Sequence, residues 1–85
     1  MDYEQVYLDL INEIEPKIVE LEKAGKTDAV TSLKKKLGEL EILLAEERVY
    51  NLESLLEIIP VDHEDYDDVL RDIGIARARL SKLKK

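Results

Sequence analysis

Apolar residues recur along this chain at spacings of three and four, first at Tyr3, Val6, Tyr7, Leu10, Ile11, Ile14, Ile18 and Leu21. Such spacing places them on one face of a helix. A second stripe follows at Val30, Leu33, Leu37, Leu40, Leu44, Leu52, Leu55 and Ile59, and a third at Tyr66, Val69, Leu70, Ile73, Ala76, Leu80 and Leu83. Nothing alternates with period two over a useful length. Ile58, Ile59 and Val61 form the one β-like cluster, and Pro60 splits it. The pattern predicts helices over 3–24, 28–59 and 63–83.

The punctuation agrees with these limits. Asp2 is a candidate N-cap, with Gln5 at capping-box distance. The apolar period continues through Pro16, which predicts one kinked helix rather than two. Gly25 stands where a left-handed C-cap belongs, and Thr27 is placed to cap the second helix, with Asp28 in its first turn. That helix should stop before Pro60, because the residue preceding a proline avoids the α region. Asp62 is the expected cap of the third. Two short connections imply antiparallel neighbours. The expected fold is all-α: an antiparallel up-down-up three-helix bundle, coiled coil-like, in a single domain of residues 1–85.

The helix lengths do not match. At about 1.5 Å per residue the middle helix is roughly 48 Å long and its neighbours roughly 33 Å. The apolar residues late in the middle helix then lack one wall, and an uncovered patch favours association. Either the helix breaks near Arg48–Asn51, giving four helices, or a second copy covers Val49, Leu52, Leu55 and Leu56 in a homodimer. Gly38 and Gly74 fall inside helices, where small residues suit close helix packing or a neighbouring kink.

Charge changes the picture more than length does. The 85 residues carry a formal net charge of -7 and are 39% charged, as long helices with ion-paired outer faces would be. Residues 1–24 hold seven acidic and two basic side chains, and residues 71–85 hold one acidic and six basic. An up-down-up fold would gather Asp2, Glu4, Asp9, Glu53, Glu57, Asp62, Glu64, Asp65, Asp67 and Asp68 at one pole. Lys23, Lys26, Lys34, Lys35, Lys36, Lys82, Lys84 and Lys85 would gather at the other. All four tyrosines, Tyr3, Tyr7, Tyr50 and Tyr66, belong to the acidic pole. Acids at helix starts also simply stabilise the dipole. Tyrosine, however, supplies contact area with a polar tip at low entropic cost.

Candidate chemistry is sparse. There is no cysteine, which excludes disulfides, thiol nucleophiles and thiolate zinc sites. The run Asp62-His63-Glu64-Asp65-Tyr66-Asp67-Asp68 is rich in hard oxygen ligands, but it has no loop glycine, and one histidine is poor material for zinc. It reads as the acidic start of a helix. Gly25-Lys26-Thr27 has the last letters of a phosphate loop without its upstream glycine, and the serines lack a glycine elbow. No metal, cofactor or catalytic residue is expected. The basic pole holds no aromatic residue for base stacking, so nucleic acid is not an expected partner. No apolar run reaches the roughly 18 residues of a membrane span, and Met1-Asp2-Tyr3-Glu4 does not open a signal peptide. A cytoplasmic protein is expected.

Asp65-Tyr66-Asp67-Asp68-Val69-Leu70 followed by Ile73-Gly74-Ile75-Ala76 resembles the first helix of a tetratricopeptide-type repeat. The over-long middle helix and the lack of a second copy do not fit a repeat array. The expected function is non-enzymatic: a small acidic helical protein, an adaptor, inhibitor or regulator, that binds a protein with a basic surface. Tyr3, Tyr7, Tyr50, Tyr66, Asp62, Glu64 and Asp67 are the expected contact residues. The alternatives are a purely structural or designed bundle with no ligand, and nucleic-acid association through the basic pole.

Overall fold

The computed structural model describes residues 2–85; Met1, the first residue of the start read above for a leader, lies outside the described residues. The chain is all-α. Its elements are α1 (Tyr3–Lys23), α2 (Thr27–Ile58) and α3 (Tyr66–Leu83), with no strand among the described residues and consecutive helices in contact. Two compact units divide it, one up to Leu44 and one from Ala45 to Lys85. The first holds α1 and the early part of α2; the second holds the rest of α2 and α3.

In the first unit, Asp2 caps α1 by accepting the Gln5 backbone N–H at 3.3 Å. The capping box is only half made, because the Gln5 side-chain amide donates forward to Asp9 at 2.9 Å. The helix runs on through Pro16, whose missing N–H falls on an exposed face. It ends in a Schellman arrangement. Gly25 takes φ +75°, its N–H donates to the Glu22 carbonyl, and the Lys26 N–H donates to the Leu21 carbonyl. Only glycine holds that backbone without strain. The first bond of α2, from Val30 N–H to the Lys26 carbonyl, moves the cap one residue back from the expected Thr27. Ile11, Ile18, Val30 and Leu44 are buried, and Glu22 pairs with Lys34 across the hairpin at 3.8 Å.

The expected alternative of a break at Arg48–Asn51 does not occur: α2 is one helix of 32 residues. No glycine or proline interrupts that stretch, and Arg48, Val49 and Tyr50 continue the helical period into Leu52. In the second unit, Ala45, Val69 and Ile73 are buried. Arg77 of α3 reaches Glu53 of α2, with Nη2 at 2.7 Å and Nε at 3.2 Å from one carboxylate oxygen.

The start of α3 corrects the expectation. It begins at Tyr66 rather than residue 63, and Asp65 rather than Asp62 stands at its cap, without a side-chain capping bond. Three bonds hold the preceding residues out of the helix. The His63 N–H donates to the Pro60 carbonyl at 3.0 Å, and the Tyr66 N–H to the His63 carbonyl at 3.1 Å. The Asp65 N–H donates to His63 Nδ1 at 3.0 Å. The imidazole thus ties down the N–H of the cap residue itself, and no side chain caps the first turn of α3.

Neither internal glycine serves close packing. A methyl group added at Gly38 or Gly74 would meet nothing within 4 Å, and both lie in ordinary helix. Gly38→Ala and Gly74→Ala should therefore each stabilise the chain by about 0.5–1 kcal/mol, read as a higher urea midpoint at unchanged slope.

Candidate binding surfaces

Each unit presents its own surfaces. In the first, Tyr3, Val6 and Leu10 are exposed on α1, and the Tyr3 and Tyr7 rings lie 6.5 Å apart at 28°. Tyr7 is half-buried, and the two tyrosines form a local i, i+4 contact. Of the lysines expected to crowd a basic pole, Lys34 pairs with Glu22 and Lys36 with Glu39, each at 3.8 Å.

In the second unit the apolar exposure is larger. Ile58 is 79% exposed, Val61 78% and Tyr50 64%. Tyr50, Ser54 and Ile58 follow at four-residue steps, so Tyr50 and Ile58 fall within about 80° of each other around α2. Val61 follows just past the helix end. Asp62, Glu64, Asp65, Asp67 and Asp68 are all exposed in and after the same connection. Tyr66 is half-buried at the first position of α3.

Of the expected contact residues, Tyr50, Tyr66, Asp62, Glu64 and Asp67 belong to the second unit. Tyr3 and Tyr7 belong to the first unit. Of the residues expected to meet a second copy, Leu55 is exposed, while Val49, Leu52 and Leu56 are half-buried.

A groove in the second unit went unread in the sequence. Its floor is Ala45, Leu52, Ile75 and Ala76, its edges carry Arg48, Asp72 and Arg79, and it encloses about 250 Å³. Ile75 is 57% exposed there. Only the pairing of α3 with late α2 brings these residues together, and no local sequence signal marks it.

No group of three or more acidic or histidine side chains is arranged to hold a metal among the described residues. No helix among them is long and apolar enough to cross a membrane. Comparison with protein-family models, with curated proteins and with solved structures finds no match to this chain.

Proposed function

We propose that this chain is a non-enzymatic protein that acts by binding another protein, one with a basic surface, through the acidic end of its second unit. The observation that carries this reading is the exposure of Ile58 and Val61, 79% and 78%, beside Asp62, Glu64 and Asp67. Two large aliphatic side chains left in water at one place favour association. Covering them on binding contributes up to about 1.5–3 kcal/mol each. The surrounding carboxylates steer a cationic partner and reject an anionic one. Tyr50, 64% exposed on the same helix, supplies the kind of aromatic anchor that dominates interface energetics. The reading extends to a homodimer contact along late α2, supported by the exposure of Leu55.

Affinity capture on the immobilised chain, followed by mass spectrometry, tests the first part. The expected result is a basic protein whose retention falls at least about tenfold with Tyr50→Ala, and further with Asp62→Lys, Glu64→Lys and Asp67→Lys combined. Retention unchanged by all of them rejects this surface.

A further inference from the structure

We propose that the groove between late α2 and α3 receives the first half of α1 from a second copy of this chain, exchanged reciprocally in a closed dimer. The proposal rests on the homodimer reading above and names what each copy contributes.

The groove has an apolar floor of Ala45, Leu52, Ile75 and Ala76. Its edge on α3 is cationic. Arg79 lines it, Lys82 stands one turn further beside Ile75, and neither has an ion-pair partner among the described residues. Arg48 lines the α2 side, and Asp72, two turns before Arg79 on α3, is the one acid lining it. An apolar trough with a basic edge is unusual on a chain of net charge -7. Its complement is an acidic amphipathic helix.

The chain contains such a helix with its outer face open. Tyr3, Val6 and Leu10 follow at i, i+3 and i+7 on α1, and all three are exposed. Asp2, Asp9 and Glu13, also exposed, run along one edge of that stripe. The lengths agree as well. Tyr3 to Leu10, Ala45 to Leu52 and Asp72 to Arg79 each advance seven residues, roughly 10.5 Å at about 1.5 Å per residue. Each copy has one such stripe and one such groove. A two-fold exchange fills both and leaves no open end for further growth.

Sedimentation velocity of the full chain, from micromolar to millimolar concentration, tests this with two complementary variants. One carries Arg79→Glu and Lys82→Glu; the other carries Asp9→Lys and Glu13→Lys. All four positions are exposed, so both should retain the wild-type helical signal. The wild type should dimerise. Each variant alone should associate about 100-fold more weakly, because like charges meet in both contacts. An equimolar mixture should return to near wild-type affinity, since opposite charges then meet in both. If either charge variant fails to fold, Ile75→Ser and Leu10→Ser take their place, and each should weaken the dimer at least about tenfold. A single-chain mass at every concentration overturns both this docking and the homodimer. A dimer that the variants do not weaken, or that mixing the charge variants does not restore, overturns the docking of α1 alone.

Discussion

Replacing Ile73 by alanine should destabilise the chain by about 3 kcal/mol, within the 2–5 kcal/mol range of such core truncations. Ile73 is 4% exposed, and its unit has little else to fall back on. Among the described residues the buried apolar set is Ile11, Ile18, Val30, Leu44, Ala45, Val69 and Ile73, and none of these side chains is fully enclosed. Removing the side chain beyond Cβ forfeits its transfer free energy and leaves a space that two packed helices cannot close without shifting. Against a typical total of about 5–15 kcal/mol, that loss is a large fraction. Ile75, two residues further along, is the internal control. It lies largely in water in the single chain, so at concentrations too low for association Ile75→Ala should change stability by no more than about 0.5 kcal/mol. Urea unfolding followed by circular dichroism measures both, and equal effects at the two positions would contradict the burial described above.

The second large effect concerns the continuity of α2. Tyr50→Pro should cost about 3 kcal/mol or more, because it removes a main-chain donor and drives its ring into the carbonyl one turn back. Tyr50→Ala should cost almost nothing, since the side chain is exposed and alanine is the better helix former. The contrast isolates the backbone from the side chain. Were the chain instead two helices joined near residues 48–51, proline there would be tolerated at the first turn of the second one. Thermal unfolding of the two variants side by side separates these outcomes.

Much of the fold was legible because its signals are local. The three apolar stripes, the Asp2 cap and the Gly25 C-cap each depend on residues within one or two turns. The greater length of α2 follows from the absence of any breaker between Gly38 and Pro60. The late start of α3 was not legible for an equally local reason. Asp62 and Asp65 are both good caps by type, and the choice between them turns on His63 and Pro60 supplying acceptors from unexpected atoms. The internal glycines were misread because packing distance cannot be read from residue type.

The surfaces divide in the same way. The acidic run after Pro60 stands in plain sequence, and the exposure of Ile58 and Val61 beside it follows from their position at a helix end. The basic-edged groove is different. Arg48 lies among acidic neighbours and far in the chain from Arg79 and Lys82, whose basic segment stands in plain sequence without showing that it borders a groove. Arg48 and Arg79 border one groove only through the register of α3 on α2. The same register brings Arg77 to Glu53, an exposed contact worth about 1 kcal/mol or less by itself.

The claim that matters most is that the end of α2 and the acidic connection after it form the contact surface for a basic protein. Capture on the immobilised wild-type chain and on the Ile58→Ser, Val61→Ser variant, each washed at low and then high salt, tests it most directly. The account predicts a basic protein held by the wild type, released progressively as salt screens the carboxylates, and nearly lost from the variant even at low salt. Equal retention by the two chains at both salt concentrations would contradict it.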